Sequence, residues 1–280
     1  MSLEVMIIVL FSAVLHASWN GLIRASLNKF HDTVLIVLGA AVWTLFFLPI
    51  IPFPAVESWP YLALSVLIHV VYFILVALSY RRGQLSLIYP LMRGGAPVLS
   101  MIAAAILIKE FPSPGGWIGV LLISCGIIVL TGDSLRFRTF DVSSTMFALT
   151  NAGVIVAYTL IDGQGVRLSG YALSYTGWMF LMTAILLLAI SFAVQRREMY
   201  KSFKTGWRIG LLGGGFSLAA YSLVLWAMTH APIALVAALR ETSVVFAAII
   251  AAFLLKEPFT RLRYASIFTV TIGAIVMKVF

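Results

Sequence analysis

The sequence predicts an all-α membrane protein, a polytopic bundle of ten transmembrane helices, and three observations lead to that prediction. Of the 280 residues, 62% are apolar and only 10% are charged, whereas a soluble domain has about 25% charged residues. The mean hydropathy is +1.06. The apolar residues fall into runs near the ~20 residues that a helix needs to cross a bilayer, too long and continuous for barrel strands. A soluble enzyme, a disordered chain and a secreted disulfide scaffold are therefore excluded.

Each apolar run is predicted as one transmembrane helix, and short loops make sequence neighbours antiparallel neighbours. The first run lacks the basic region of a signal peptide, so we expect it to be retained. The fifth and sixth runs are the shortest. The ten runs are Leu3–Ile23, Thr33–Ile51, Tyr61–Ser79, Leu85–Ile108, Gly116–Leu130, Thr145–Ile161, Ala172–Val194, Trp207–Met228, Ile233–Leu255 and Tyr264–Phe280.

The distribution of Lys and Arg predicts the orientation in the membrane. With ten spans both termini lie on one side, and the loops of the opposite side carry 14 of the 19 basic residues, against three on the side of the termini. Cytoplasmic loops are the ones enriched in Lys and Arg. We therefore expect the cytoplasmic (inner) membrane, both termini outside and no nucleic-acid partner, because the net charge of +9 is explained by topology.

Two segments of the chain repeat at an offset of 147 residues. RGGAPVLSMIAAAILIKE begins at Arg93 and RETSVVFAAIIAAFLLKE begins at Arg240, with 8 identities in 18 positions. The offset covers five spans, and an odd number inverts the second copy. Residues 1–138 and 139–280 are thus predicted as inverted five-helix halves, as in many secondary transporters. Duplication kept only for folding is the alternative.

These features together resemble the drug/metabolite transporter superfamily, EamA type. The motifs that carry the resemblance are HASWNGLIR in span one, YPLMRGGAP in span four, AYTLIDGQGVR in span six and LVAALRETSVVFAAIIAAFLLKE in span nine. The resemblance covers essentially the whole chain. It implies a carrier of small polar or amphipathic metabolites that works without ATP, with a central cavity lined by spans one, three, four, six, eight and nine.

Charged residues inside apolar runs are candidates for function, because a charge at bilayer depth costs about 2.5–3.5 kcal/mol on insertion scales. Arg93 and Arg240 each lie about 12 Å into their spans, from opposite faces, and are predicted to bind a substrate anion. Pairing with an internal carboxylate is the alternative. Glu241 is predicted to face another helix, since adjacent side chains of a helix diverge by about 100°. It is a candidate for proton coupling or a structural partner of an arginine.

Several polar and aromatic side chains share helix faces with these charges. In span one, His16, Trp19 and Asn20 have the i, i+3, i+4 spacing of one face and are predicted to line the cavity. Asp162, near the predicted outer end of span six, is either a coupling carboxylate or a simple interfacial one. The further candidates are His69, for proton coupling, and Tyr72, Tyr89, Tyr158 and Tyr221, for substrate contact.

Three classes of function remain open from the sequence. The first is a secondary carrier of a small anionic or zwitterionic metabolite, amino-acid-like or phosphonate-like. The second is a flippase for a lipid or lipid-linked substrate. The third, an intramembrane enzyme, is disfavoured because HExxH, GxSxG and paired metal-binding carboxylates do not occur. We expect no catalytic residue, metal or cofactor, a small-molecule substrate and the lipid bilayer as partners, and either a monomer or a homodimer.

Overall fold

The computed structural model describes residues 1–24, 29–81, 85–135, 142–255 and 260–279, and every regular element in these ranges is a helix. The all-α prediction is therefore confirmed. A 3₁₀ turn, Val56–Ser58, precedes α3, and a π-helical turn, Ala104–Ile108, extends α4. The helices are α1 Leu3–Arg24, α2 Lys29–Phe47, α3 Trp59–Arg81, α4 Leu85–Ala103, α5 Pro114–Leu135, α6 Val142–Ser169, α7 Ala172–His230, α8 Ile233–Arg240, α9 Ser243–Leu255 and α10 Arg261–Val279.

Length and composition make this a multi-pass membrane protein. Within the described ranges, six helical segments are long and apolar enough to cross a membrane, and two shorter apolar ones are Met92–Ile108 and Pro114–Leu130. Large apolar side chains cover the outside; on α1, Leu3, Ile7 and Phe11 are each more than half exposed at intervals of four residues. Such a stripe belongs against lipid rather than water. The count of ten spans remains a prediction.

Helix α7 contains 59 residues and is two predicted spans joined end to end. An unbroken helix of that length would be about 88 Å long, nearly three times the hydrocarbon thickness. Gln195 leaves the helical region, with φ −140° and ψ 44°, and separates the arms 172–194 and 196–230. Its side-chain oxygen lies 2.7 Å from Nε2 of His31, near the start of α2.

Three helix boundaries differ from the predicted ones for identifiable reasons. Helix α2 ends at Phe47 rather than Ile51, because the chain turns over residues 48–50, around Pro49. Helix α6 runs on to Ser169 although hydropathy falls after Ile161, because polar residues of its last turns face the protein interior. Span nine is broken between α8 and α9 instead of being continuous.

Glycines allow α2 to lie directly against the second arm of α7. A Cβ added at Gly39 would overlap the carbonyl oxygen of Gly210, and one added at Gly214 would overlap the backbone of Gly39 and Ala40. The helical backbone continues without interruption through 213–215. The glycine run 213–215 therefore serves close helix packing.

Helices α5 and α10 make a second close contact, and their facing residues run in opposite directions. A Cβ at Gly119 would lie 2.7 Å from the carbonyl oxygen of Gly273, and one at Gly273 would lie 2.8 Å from that of Gly119. Seven residues further along α5, the hydroxyl of Ser266 donates to the carbonyl oxygen of Gly126 at 2.6 Å. The two helices are therefore antiparallel.

Candidate functional site

Two arginines and a glutamate form a buried charged centre between α4 and the α8–α9 break. Arg93, Arg240 and Glu241 are only 3%, 4% and 1% exposed. Nη1 of Arg93 donates to both carboxylate oxygens of Glu241, at 3.0 and 2.7 Å. Nη2 of Arg240 donates to Oε1 of the same carboxylate at 3.2 Å. One carboxylate is thus shared by two guanidinium groups, and this centre carries a formal charge of +1.

Glu241 faces another helix, as expected, because its carboxylate contacts Arg93 of α4, but it also pairs with Arg240, which was not expected. The backbone there is not α-helical. The amides of Glu241 and Thr242 bond to Ala238 and Leu239, and those of Val244 and Val245 bond to Glu241 and Thr242. All four bonds join residues three apart, the pattern of a 3₁₀ turn, which in mid-helix often marks a functional hinge. This tighter turn ends α8 and allows the Glu241 carboxylate to contact its neighbour.

Helix α1 contributes His16 to the charged centre. Nη2 of Arg93 lies 2.8 Å from Nε2 of His16. Arginine can only donate, so Nε2 is the acceptor and the imidazole is neutral in this arrangement. Trp19 meets the imidazole edge-on with the rings 5.0 Å apart, whereas the Asn20 amide donates to the carbonyl of His16 at 2.8 Å. His16 and Trp19 therefore lie on one face of α1, as predicted. The Asn20 amide nitrogen donates to the backbone of the same helix.

Tyr158 on α6 joins the charged centre to a second polar cluster. Nη2 of Arg240 donates to its hydroxyl at 3.3 Å, and the guanidinium lies 5.9 Å from the ring centroid. On its other side the ring lies 4.7 Å from that of His69 and 5.7 Å from that of Tyr72. Tyr158 therefore contacts residues of both α8 and α3.

The second cluster surrounds Asp162, which is fully buried. Tyr175 donates to Oδ1 of Asp162 at 3.2 Å, and Tyr221 donates to Oδ2. Nε2 of His69 lies 3.9 Å from Oδ2, while its Nδ1 lies 3.0 Å from the Ser65 carbonyl. Asp162 is therefore enclosed by other helices rather than exposed, and α6 continues beyond it to Ser169, which counts against a simple interfacial role. This Asp162 cluster carries a formal charge of −1 with His69 neutral.

Tyr175 is a member of this cluster that the sequence did not identify. It lies in the first turn of α7, where tyrosines commonly mark the membrane interface, yet it is fully buried. Only its distance from Asp162 in the folded chain reveals its role. Tyr89 was a candidate, but its side chain lies outside the described residues. Among the described residues no three His, Cys, Asp or Glu side chains are grouped as a metal site would require.

A third polar contact lies at the end of α6, away from these two clusters. Nη1 of Arg167 is 2.6 Å from Oε1 of Glu110, and its Nε donates to the carbonyl of Met228 at 2.8 Å. The other oxygen of Glu110 accepts from the amide of Ile233, the first residue of α8, at 2.8 Å. A carboxylate at a helix N-terminus is stabilising, so Glu110 caps α8.

The fold and the buried polar groups define a class of protein. Apolar side chains face outward, helices cross the membrane several times, and four formal charges lie in the interior between α3, α4, α6 and α8. This is a multi-pass helical membrane protein with a polar interior, an arrangement typical of solute carriers rather than of structural bundles.

Comparison with known proteins specifies the family. Residues 143–279 match the EamA-like transporter family. This half of the chain is therefore an EamA-like transporter domain, and the resemblance to the drug/metabolite transporter superfamily is confirmed. No curated protein sequence gives a match. Among 28 matching chains of solved structures, one crystal structure aligns with a TM-score of 0.74 and 16% identity, over 98% of this chain and 94% of its own. At that identity the likeness concerns the fold.

Proposed function

We propose that the protein is a secondary-active carrier that moves a small anionic or zwitterionic organic metabolite across the cytoplasmic membrane by alternating access. The observation that carries this proposal is the pair Arg93 and Arg240, buried to 3% and 4% exposure and sharing a single carboxylate. Guanidinium groups bind carboxylate and phosphate through paired donors. A net charge of +1 inside a membrane is costly, and one monoanion would neutralise it.

An inverted repeat would supply the two halves that alternating access needs. The α5–α10 contact supports it: at the 147-residue offset Gly119 corresponds to Ser266 and Gly126 to Gly273. The contact of Gly119 with Gly273 therefore maps onto that of Ser266 with Gly126. A two-fold axis exchanges the two helices, so it converts each of these contacts into the other. We propose that 1–138 and 139–280 are the two inverted halves of one membrane unit.

The charged centre repeats the same relationship. Arg93 of span four contacts His16 of span one, and Arg240 of span nine contacts Tyr158 of span six. Spans one and four correspond to spans six and nine in the proposed repeat. Each proposed half therefore contributes one arginine that contacts its own first span, which supports an anion site between the halves.

The Asp162 cluster is the proposed site of proton coupling. Asp162 and His69 are two titratable groups 3.9 Å apart, in a region where Asp and His commonly form proton relays. The charges of the two clusters cancel before substrate binds. Uptake of one monoanion together with one proton would leave the interior neutral.

Reconstitution into sealed liposomes tests the carrier function. A metabolite panel is first screened by thermal shift, and uptake of the best ligands is then measured. Arg93→Gln and Arg240→Gln should each reduce uptake by about tenfold to a hundredfold, the equivalent of the ~1.5–3 kcal/mol of a charged hydrogen bond. Arg196→Gln removes the same charge from an exposed position and should transport normally.

Two results would count against this proposal. Full uptake by both arginine variants, with melting temperatures like that of the unmodified protein, would show that Arg93 and Arg240 do not form the substrate-binding site. A chemically altered product would indicate an enzyme instead.

A flippase remains the second candidate because of one further feature. Leu67, Ile68 and Val71 of α3 and Gly153, Val154 and Ala157 of α6 line an apolar crevice of about 330 Å³. Leu67 and Val71 are half exposed on the lipid-facing surface, so an acyl chain has access. A fluorescent lipid that changes leaflet in the same liposomes, without uptake of soluble ligands, would favour this function.

A further inference from the structure

The two proposed halves contribute unequally to the charged centre: each supplies an arginine, but only one supplies an acidic residue. At the 147-residue offset that relates Arg93 to Arg240, the position of Glu241 corresponds to Gly94. Two equivalent cations therefore share one carboxylate that only the second half provides. The other interior acid, Asp162, accepts from Tyr175 and Tyr221 in its own cluster, so within the charged centre a single carboxylate serves both cations.

The Glu241 carboxylate makes the contacts that a bound substrate anion would need. Both its oxygens accept from Arg93, and one of them also accepts from Arg240, with distances between 2.7 and 3.2 Å. Its side chain is 2% exposed. The shortest of these hydrogen bonds, 2.7 Å from Nη1 of Arg93 to Oε2, has the length of a charge-assisted hydrogen bond to a carboxylate. A substrate carboxylate bridging the same guanidinium groups would therefore compete with Glu241.

Glu241 is also placed so that it can leave this position without unfolding a helix. It lies in the 3₁₀ turn between α8 and α9, with its backbone amide bonded to Ala238 and its carbonyl to Val244. Rotation of the side chain alone would withdraw the carboxylate. Nε of Arg240 is buried with no hydrogen-bond partner in the described part of the chain, so an incoming anion finds a free donor.

We propose that Glu241 is a tethered competitor that occupies the anion position in the substrate-free protein and restricts the substrate to groups with a single negative charge. This rests on the proposed function and specifies its substrate class. Because Glu241 stays attached beside the two arginines after its carboxylate rotates away, the centre keeps a charge of +1 and is neutralised by a carboxylate or a singly charged phosphate or phosphonate. Without Glu241 the centre has a charge of +2, which favours a dianion.

The test uses two probes that differ in charge and share a methyl group. Binding of acetate and methylphosphonate is measured by calorimetry on the purified full-length protein, at fixed ionic strength, in alkaline buffer where methylphosphonate is a dianion. The unmodified protein should prefer acetate. Glu241→Gln should bind both more tightly, and the preference should shift toward methylphosphonate by about tenfold or more, a change of 1.4 kcal/mol per factor of ten. Glu198→Gln, at an exposed position, should match the unmodified protein.

A double variant keeps the test decisive if Glu241→Gln does not fold. Arg240→Gln alone leaves a neutral centre and should lose acetate binding, whereas Arg240→Gln with Glu241→Gln restores +1 and should regain it at Arg93. A purely structural Glu241 predicts no such rescue.

The outcomes separate this inference from the proposed function. If Arg93→Gln abolishes anion binding while Glu241→Gln weakens it or leaves the preference unchanged, the anion site stands and the tethered competitor is overturned. If Arg93→Gln and Arg240→Gln both bind acetate normally, the proposed function fails as well.

Discussion

Asp162 is a single residue whose environment defines its chemistry. It lies fully buried on α6, and the hydroxyls of Tyr175 and Tyr221 both donate to its carboxylate. Two such donors offset part of the cost of an ion in the membrane interior. His69, 3.9 Å away, is the titratable group that the proposed coupling assigns as its partner.

Asp162→Asn tests the proposed coupling role at this scale. An amide has the shape of the carboxylate: its oxygen can still accept from one tyrosine, and its NH2 group can donate to the hydroxyl oxygen of the other, but it cannot bind a proton. Accumulation driven by a pH gradient should fall by about tenfold or more, the loss expected when a proton-transferring group is removed. Exchange of labelled for unlabelled substrate should continue, since it needs no net proton movement. Both are measured in liposomes with the ligand identified by thermal shift.

The opposite pattern would contradict this role for Asp162. If Asp162→Asn accumulates substrate as the unmodified protein does, the coupling residue lies elsewhere. If the uptake rate of the unmodified protein does not change across a range of pH, transport is not coupled to protons.

Single residues also show how far the sequence could predict the site. Arg93 and Arg240 stand out because each is a full charge within an apolar run. The burial of Asp162 within the protein was not predicted, because hydropathy declines after Ile161. Hydropathy does not distinguish a polar residue that faces water from one that faces other helices. Tyr175 was missed because its partner comes from another helix.

At the scale of helices, apolar runs predicted most elements well. Span four, predicted as Leu85–Ile108, ends where α4 and its π turn end. The break after Arg240 was not predictable from local signals, because the LRETSV segment contains neither Gly nor Pro. Contacts from α1, α4 and α6 surround the break, so tertiary packing overrides helix propensity there.

The contact between α2 and the second arm of α7 gives a prediction at this scale. Gly214→Ala introduces a methyl group where the backbone of Gly39 and Ala40 already lies, so the helices must separate. Overpacking of this kind costs about 1–3 kcal/mol, and the melting temperature in detergent should fall by several degrees.

Gly153→Ala is the matched control for that substitution. Gly153 also lies within a helix, and nothing would lie within 4 Å of its added Cβ, so stability should be unchanged or slightly higher. Equal melting temperatures for the two alanine variants would contradict the close contact.

At the scale of the whole molecule, the charge distribution predicts the orientation. The loops predicted to be cytoplasmic hold 14 basic residues, against three on the other side. The apolar exterior and the polar interior fit a chain that exposes its sides to lipid. The α5–α10 contact has the symmetry that the proposed pair of inverted halves would produce.

Reporter fusions test the proposed orientation. Alkaline phosphatase fused after Phe280 should be active and green fluorescent protein at the same position should be dark, because both termini are expected outside the cytoplasm. The reverse pattern would show a cytoplasmic terminus and hence an error in the number of spans or in the orientation.

Helix α8 has a further consequence, because both of its ends are held by charged side chains. At about 1.5 Å per residue its eight residues span roughly 12 Å. One end receives the carboxylate of Glu110, itself paired with Arg167, and the other end carries Arg240. If α8 moves as one unit, a shift of its backbone at Arg240 toward an incoming anion would also displace or strain the Glu110 contact at the other end, where Arg167 lies.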